Sequence, residues 1–288
     1  MSVGALFRLA SVLGPRRDRA FLIAARTFRL PLNMSPVNIL LTNDDGYDAP
    51  GLRVLEAALA GLGTLWTIAP QLEQSAKSHA LSMRDAIRVT ARGERAWDVS
   101  GTPADCVYLG VHKLLPVRPD LVVSGINAGS NLATDVYYSG TVAAAREAAC
   151  IGIPALAVSL WMEPGYERQW SVAGAFARTV AERMLTLPAT PGVLFNLNVP
   201  NTATPLGLRV ATLGRRHYQP LVDARTDPRG RPYYWIGGDH ERFEGADDSD
   251  GHLCEAGWAT LTPLQLDHTA TEMVEGLRTF WPEPENTR

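Results

Sequence analysis

Apolar runs alternate with helical patterns from residue 38 onward. The runs read as buried strands at Asn38–Thr42, Leu65–Ala69, Leu121–Ser124, Ala155–Leu160 and Val193–Val199. The patterns between them predict helices at Pro50–Leu62, Thr102–Leu115, Ser139–Gly152 and Arg168–Leu185. Two short extended segments, Ala86–Ala91 and Trp97–Val99, are predicted before the helix at Thr102–Leu115. Strands that are apolar nearly throughout are typical of a parallel sheet covered on both faces. The pattern therefore predicts an α/β protein with a Rossmann-like, mostly parallel sheet and helices on both faces.

The pattern changes after Pro200. Extended segments are predicted at Leu208–Leu213, Tyr233–Ile236 and Gly257–Thr262, an acidic loop at Asp239–Asp250, and a last helix at Thr271–Phe280. We expect a core of about 37–205 and a C-terminal extended β/α appendage of about 206–282 that is not an independent domain. Because such strands leave edges and apolar faces unpaired, the appendage predicts a homodimer or a homotetramer.

Residues 1–33 differ from the rest of the chain because they hold six arginines and one acidic residue. This composition resembles an organellar transit peptide, but we favour an upstream extension with translation starting at Met34. We leave the segment outside the fold in either case and assign one domain to residues 34–288.

Charge and cysteine usage exclude several classes of protein. The net charge is −3, and it becomes more negative when residues 1–33 are set aside, which argues against a partner that is a nucleic-acid polymer. The three cysteines lie far apart without a CxxC pair, so reduced thiols in the cytoplasm are expected instead of disulfides or zinc. No apolar run is long enough to predict a membrane span.

Polar side chains follow three of the predicted strands. Asp44 and Asp45 come after the first strand, Ser75 follows the second, and Asn127 lies in a Gly/Asn-rich loop after Leu121–Ser124. The carboxyl ends of parallel strands share one edge of a sheet, where open α/β proteins bind ligands. These four side chains offer only oxygen ligands, which suit Mg²⁺, Mn²⁺ or Ca²⁺. The alternative is an ordinary turn, since Asn, Asp and Gly dominate turns.

A helix start lies near this edge. Ser139-Gly140-Thr141 opens the Ala-rich helix, and its free backbone N–H groups form an anion site. Together with the oxygen ligands, this favours a metal-assisted phosphoryl hydrolase. The alternative for Ser139 is a simple N-cap.

Other catalytic motifs fit poorly. The pair Asp44-Asp45 lacks the Asp-x-Asp spacing of haloacid-dehalogenase phosphatases, and the chain has no P-loop, no GxGxxG fingerprint and no GxSxG elbow. Ser75 as a nucleophile with His79 as its base remains an alternative. His79 is also a candidate for protonating the leaving oxygen, or it is an ordinary loop histidine.

The chain resembles the SurE (survival protein E) family over roughly Asn38 to Thr271. The resemblance rests on segments that occur together and in order: Thr42-Asn43-Asp44-Asp45-Gly46, Ala69-Pro70 with Gln74-Ser75, Gly101-Thr102-Pro103-Ala104-Asp105-Cys106-Val107, Ser124-Gly125-Ile126-Asn127-Ala128-Gly129-Ser130-Asn131, Tyr138-Ser139-Gly140-Thr141-Val142, and Leu261-Thr262-Pro263-Leu264. Lys77 and Ala133 stand at or near positions where the family usually has glycine.

The resemblance implies a 5′/3′-nucleotidase that uses one divalent metal ion per subunit, Mg²⁺ or Mn²⁺, to hydrolyse nucleoside monophosphates. The implied metal ligands are Asp44, Asp45, Ser75 and Asn127, and the implied catalytic residues are Asp44, Asp45 and Asn43. The implied phosphate-binding residues are Asn43, Asn131, Ser139, Gly140 and Thr141. A non-catalytic regulator that binds metal and nucleotide, and a broader phosphatase acting on short polyphosphate, are the alternatives.

Overall fold

The computed structural model describes residues 36–161, 166–238 and 240–281, apart from the side chains of residues 240 and 241. The predicted N-terminal extension, residues 1–33, and the tail of residues 282–288 lie outside the described residues. The predictions made for them stay predictions.

Strands and helices alternate through the first two thirds of the chain. The strands are β1 (Asn38–Thr42), β2 (Thr64–Pro70), β3 (Val89–Gly93), β4 (Ala96–Val99), β5 (Leu121–Ala128), β6 (Ala155–Trp161), β7 (Val193–Pro200), β8 (Leu208–Val210), β9 (Arg215–Tyr218), β10 (Leu221–Thr226), β11 (Pro232–Gly237), β12 (His240–Glu244) and β13 (Ala259–Gln265). The α-helices are α1 (Pro50–Leu59), α2 (Pro103–Leu109), α3 (Gly140–Cys150), α4 (Trp170–Met184), α5 (Asp250–Glu255) and α6 (Thr271–Phe280). A π-helical turn, Gly110–Leu114, extends α2, and a 3₁₀ turn, Ala133–Tyr137, precedes α3.

The main sheet has nine strands in the order β3-β4-β2-β1-β5-β6-β7-β13-β8. The six strands from β4 to β7 are parallel, β3 pairs antiparallel with β4, and β13 pairs antiparallel with β7. The predicted mostly parallel α/β sheet is confirmed.

Both faces of the sheet are covered, as predicted. Ile39 and Leu41 belong to a core shared with α1 and α4, whereas Leu40 between them belongs to a core shared with α2 and α3. All three side chains are fully buried. Burying a side chain of this size stabilises the fold by about 1.5–3 kcal/mol, which explains why three consecutive residues of β1, Ile39 to Leu41, are apolar.

The strand order creates a crevice at one edge of the sheet. The chain leaves β1 through α1 to reach β2 on one side, and β5 lies on the other side of β1. The carboxyl ends of β1 and β5 therefore flank a topological switch point, where open α/β sheets bind ligands.

Local sequence signals fix the helix starts around this crevice. The Thr102 hydroxyl accepts a hydrogen bond from Asp105 N at 3.1 Å, and the Asp105 carboxylate accepts one from Thr102 N at 2.8 Å, so a capping box begins α2. The same carboxylate accepts two bonds from Ser82, which ties the loop after β2 to this helix start.

The last third of the chain corrects one prediction. The expected acidic loop Asp239–Asp250 is wrong in part, because it contains β12, which pairs antiparallel with β9. Its acidic residues are compatible with a strand because the partner β9 is rich in cations. β8 and β13 join the main sheet through β7, so part of the predicted appendage continues the core architecture.

Apolar side chains remain exposed on two elements of this region. The hairpin of β10 and β11 exposes Leu221, Val222, Tyr234, Trp235 and Ile236, and Met273, Leu277 and Phe280 are exposed on α6. None of the helices within the described residues combines the length and the apolar character needed to span a bilayer.

Candidate active site

A cavity of about 690 Å³ opens at the crevice between β1 and β5. Its lining residues come from the strand-end loops, the starts of α1, α3 and α4, and strand β9. They are Asp44, Asp45, Ala49, Pro50, Gly51, Glu73, Ser75, Ala76, Asn127, Ala128, Ser130, Asn131, Asp135, Tyr138, Ser139, Arg168, Trp170 and Tyr218. All four predicted metal ligands are in this set.

Asp44 lies at the bottom of the cavity and is only 4% exposed. Its Oδ1 accepts a hydrogen bond from the Thr141 hydroxyl, and its backbone carbonyl accepts one from Gln74 N at 2.8 Å. Burial raises the pKa of Asp44 from 3.8 to about 6, against the hydrogen bond from Thr141 and with help from the charge of Asp45. The carboxylate is thus held in an environment that lacks a compensating positive charge.

Asp45 is partly buried beside it. Its Oδ2 accepts a hydrogen bond from Ala128 N at 3.0 Å, which links the loop after β1 to the end of β5. Burial raises the pKa of Asp45, the Ala128 hydrogen bond opposes this, the charge of Glu73 adds to it and the charge of Arg168 opposes it. Gly46 follows with a φ of 104°, as the sequence predicts for the turn that brings both carboxylates to one side.

The side chains of Ser75 and Asn127 each donate one hydrogen bond and keep oxygen lone pairs available. The Ser75 hydroxyl donates to Glu73 Oε1 at 2.8 Å, so its oxygen lone pairs remain available. Asn127 Nδ2 donates to the Gly129 carbonyl at 2.8 Å, which leaves the side-chain oxygen without a partner in the described chain. Strand β5 runs to Ala128, so Asn127 lies on the strand and not in the predicted loop, next to a bulge against β6.

The start of α3 lies against Asp44. Ser139 is the N-cap, and its hydroxyl accepts a hydrogen bond from Val142 N at 3.0 Å while the residue lines the cavity. Gly140 and Thr141 are buried beneath Asp44, and neither lines the cavity. The structure therefore gives the Thr141 side chain a contact with Asp44.

The two predicted asparagines are buried as well. Asn43 Nδ2 donates to the Gly46 carbonyl at 2.8 Å, and its Oδ1 is buried without a partner. Asn131 lines the cavity, and its Nδ2 donates to Ser159 Oγ at 2.8 Å while its backbone bonds to Asn196 and Asn198. Its amide thus fixes the loop after β5 on the neighbouring strands.

The backbone differs at the two positions, Lys77 and Ala133, that stand at or near sites where the resemblance implies glycine. Ala133 has a φ of 53°, so this alanine adopts the left-handed conformation that a glycine would adopt more easily. Near Lys77 it is the flanking residues, Ala76 and Ser78, that have positive φ values of 57° and 53°. Both loops keep strained backbone next to the cavity, at a cost of about 1–3 kcal/mol for each such residue.

His79 does not line the cavity. Its Nε2 lies 2.7 Å from Glu147 Oε2 on α3, and this contact ties the Ser75 loop to the helix. The structure thus places His79 where a loop histidine bonded to its surroundings would be, away from a leaving group in the cavity.

Sequence reasoning missed several lining residues. Asp135 accepts hydrogen bonds from Arg216 at 2.6 Å and from the Tyr218 hydroxyl at 2.8 Å, so strand β9 forms one wall of the cavity. Burial and the hydrogen bond to Asp135 raise the pKa of Tyr218. Arg168 and Trp170 form another wall, where the guanidinium lies 5.6 Å from the indole centroid. No local motif predicts the contacts of Asp135, because Arg216 and Tyr218 lie 81 and 83 positions away from it in the sequence.

The donor set fits a hard divalent cation. Two adjacent carboxylates have raised pKa values, and a hydroxyl and an amide oxygen complete an all-oxygen set, the kind that Mg²⁺ and Mn²⁺ prefer. The described residues contain no group of three or more His, Cys, Asp or Glu that could hold a metal ion, so a cation at this site would need the neutral oxygens of Ser75 and Asn127 besides the two carboxylates. A cation here would neutralise the two charges that burial penalises.

The chain is similar to known proteins over most of its length. The family model described as survival protein SurE matches residues 39–220. The 5′-nucleotidase SurE of Geobacter metallireducens is 44% identical over 250 residues, covering 85% of this chain and 97% of that protein. The 5′/3′-nucleotidase SurE of Yersinia enterocolitica is 44% identical over 240 residues, covering 81% and 93%.

A solved structure is also similar. The crystal structure of the SurE protein from Aquifex aeolicus superposes with a TM-score of 0.74 at 33% identity, covering 85% of this chain and 99% of that one. Family model, curated relatives and fold agree over most of the chain, so this protein belongs to the SurE family.

Proposed function

We propose that this protein is a 5′/3′-nucleotidase that hydrolyses nucleoside monophosphates to nucleoside and phosphate with one divalent metal ion, Mg²⁺ or Mn²⁺, per subunit. The relatives with 44% identity carry the names 5′-nucleotidase and 5′/3′-nucleotidase. The single observation that carries the proposal is the pair Asp44 and Asp45 with raised pKa values at the switch point of the sheet.

The proposed metal ligands are Asp44, Asp45, Ser75 and Asn127. Thr141 holds Asp44 and Ala128 holds Asp45. The Ser75 hydroxyl donates to Glu73 and keeps its lone pairs, and the Asn127 side-chain oxygen has no hydrogen-bond partner among the described residues. Such outer contacts orient the ligands of metal sites and account for much of their affinity. When bound, the ion supplies Lewis-acid stabilisation of phosphoryl oxygens and makes a water molecule more acidic at neutral pH.

The chain's own groups stabilise the charge that develops on the phosphoryl group. The N-terminus of α3, with Ser139 in the cavity wall and Gly140 packed against Asp44, places the positive end of the helix dipole beside the site. Thr141 orients Asp44, and Asn43 holds the turn through Gly46. The Asn131 amide keeps the opposite loop in place. Preorganised donors of this type contribute about 2.7–4 kcal/mol each where they have been removed singly.

The cavity has room for more than a phosphate. A volume of about 690 Å³ falls in the range of sites that hold drug-sized ligands. Tyr138, Trp170 and Tyr218 give this space aromatic walls, and nucleobases stack on such surfaces. These features support a nucleoside monophosphate as the substrate.

The proposal that the protein forms a homo-oligomer rests on the apolar surface of the C-terminal region. The exposed apolar residues of the β10–β11 hairpin and of α6 support a homodimer or a homotetramer formed through residues 206–282. A cytoplasmic location is proposed as well, and the three free cysteines are compatible with it.

The test is phosphate release from a nucleoside monophosphate by chelator-treated protein, before and after Mn²⁺ or Mg²⁺ is restored. Asp45→Asn removes one proposed ligand, and the matched control is Asp48→Asn, an exposed carboxylate of the same loop that pairs with Arg92. We expect Asp45→Asn to lose orders of magnitude in rate and Asp48→Asn to retain it, since each 1.36 kcal/mol corresponds to about tenfold. Metal-dependent nucleotide binding without phosphate release would support a regulator instead.

A further inference from the structure

The described side chains that line the cavity carry more negative than positive charge. Of the described side chains that line it, four are carboxylates and one is a cation: Asp44, Asp45, Glu73, Asp135 and Arg168. A divalent ion balances only the two adjacent carboxylates, and Asp135 has its own ion pair with Arg216 at 2.6 Å. A phosphate monoester that brings about 1.5–2 negative charges at neutral pH therefore needs a further cation.

Arg168 is available for this purpose. Its side chain is exposed, and it makes neither a hydrogen bond nor an ion pair with any residue in the described part of the chain. Its contact is with Trp170, whose indole centroid lies 5.6 Å from the guanidinium carbon. A guanidinium stacked on an aromatic ring keeps its N–H donors free at the edge, in the geometry that matches a phosphate.

The stack is held in place next to the proposed metal ligands. Trp170 is the first residue of α4 and packs partly buried against the core shared with α1, so the ring gives Arg168 a fixed platform. Arg168 lines the same cavity as Asp45 and Ser75. The guanidinium thus stands at the rim of the cavity, within electrostatic range of the reacting centre.

We propose that Arg168, positioned by Trp170, is a substrate-binding residue that contacts the phosphate group of the nucleotide. This inference rests on the proposed function and assigns the phosphate, not the base, to the Arg168 side of the cavity. Charge-assisted hydrogen bonds from arginine are stronger than neutral ones, and the planar guanidinium can donate two parallel hydrogen bonds to two oxygens of a phosphate. The Arg168–Trp170 pair then makes the cavity selective for phosphate esters irrespective of their base.

The experiment compares Arg168→Gln with a matched control, Arg209→Gln. Arg209 also stacks on a tryptophan, with its guanidinium carbon 5.4 Å from the Trp258 centroid, but it does not line the cavity. We measure the KM of a nucleoside monophosphate, inhibition by inorganic phosphate and inhibition by the free nucleoside. Mn²⁺ affinity is measured by calorimetry without substrate.

For Arg168→Gln we expect a KM and a phosphate inhibition constant raised by about tenfold to a hundredfold, the range for hydrogen bonds to charged groups. Inhibition by the nucleoside and the affinity for Mn²⁺ should not weaken, because neither needs the guanidinium. Trp170→Phe should keep the wild-type phosphate inhibition constant, since a phenyl ring preserves the platform under the guanidinium, and Arg209→Gln should change neither constant.

Two results would overturn the proposal. One is an Arg168→Gln variant with wild-type KM and wild-type phosphate inhibition. The other is weaker inhibition by the nucleoside with unchanged phosphate inhibition, which would show that this wall binds the base. Calorimetry of inorganic phosphate binding to the metal-loaded wild type and variant does not require turnover. It therefore tests the role of Arg168 independently of the proposed function. If the metal-loaded wild-type protein released no phosphate from a nucleoside monophosphate, that result would instead contradict the proposed function.

Discussion

Gly140→Ala perturbs the site without removing a functional group. A Cβ at Gly140 would stand 2.8 Å from Asp44 Cβ, 2.9 Å from Asp44 Oδ2 and 3.2 Å from Pro103 Cγ. Ordinary contact begins at 3.4 Å, so Asp44 and the start of α3 would have to separate by about 0.6 Å. Asp44 is buried and held by Thr141, so it cannot move without displacing its neighbours.

The expected magnitudes separate activity from stability. A displacement of about 1 Å can cost about a hundredfold in rate, so a fall in kcat/KM of about tenfold to a hundredfold is expected here. Overpacking costs about 1–3 kcal/mol, and alanine recovers about 1 kcal/mol over glycine inside a helix. The net loss of stability should stay below about 2 kcal/mol, which corresponds to less than about 8 °C in Tm for a domain of this size.

The assay combines kcat/KM for a nucleoside monophosphate, Mn²⁺ affinity by calorimetry and thermal unfolding. Gly276→Ala is the control, because Gly276 lies inside helix α6 with open space where its Cβ would be. This control should keep its activity and lose no stability. If Gly140→Ala kept wild-type kcat/KM and wild-type Mn²⁺ affinity, the close approach of α3 to Asp44 would not be part of the site.

Three further predictions address the metal ligands and the assembly. In chelator at pH 8, Asp44→Asn should raise the stability of the protein while it abolishes Mn²⁺ binding. The reason is that burial raises the pKa of Asp44 from 3.8 to about 6, so the carboxyl favours the fold below pH 3.8 and this contribution, about 3 kcal/mol, is lost as pH rises through 6. Thermal unfolding from pH 4 to 8 checks this, and a variant less stable than wild type at pH 8 would contradict it. Ser75→Ala should weaken Mn²⁺ binding less than Asp45→Asn does in calorimetry, because a neutral hydroxyl contributes less than a carboxylate; an equal or larger loss would refute that ranking. Light scattering should give at least twice the chain mass of 31.3 kDa, and an active monomer would rule out the proposed dimer.

Much of the fold could be predicted because its signals are local. The centre of β1, Ile39 to Leu41, is apolar, and the capping box at Thr102 and the N-cap at Ser139 mark helix starts within a few residues. Short-range rules of this kind do not need the tertiary structure. The convergence of Asp44, Ser75 and Asn127 followed from one further rule, that parallel strands end at the same edge of a sheet.

The rest of the site depends on contacts between distant segments. Tyr218 reaches the cavity from β9, which pairs with β12 beyond the β10–β11 hairpin, and the acidic composition of Asp239–Asp250 gave no indication of that strand. Arg168 and Trp170 were expected only as the start of a helix, since periodicity predicts which face is buried and not which residue faces a ligand. The exposed hairpin of β10 and β11 was visible only as apolar segments.

The most direct test of the proposed metal centre is anomalous scattering from crystals of the full chain that contain Mn²⁺. Data collected above the manganese absorption edge should show one anomalous peak per subunit at the carboxyl ends of β1 and β5. The account predicts oxygens of Asp44, Asp45, Ser75 and Asn127 within about 2–2.6 Å of that peak. A manganese ion bound elsewhere, or none at this edge when Mn²⁺ is saturating for activity, would contradict it.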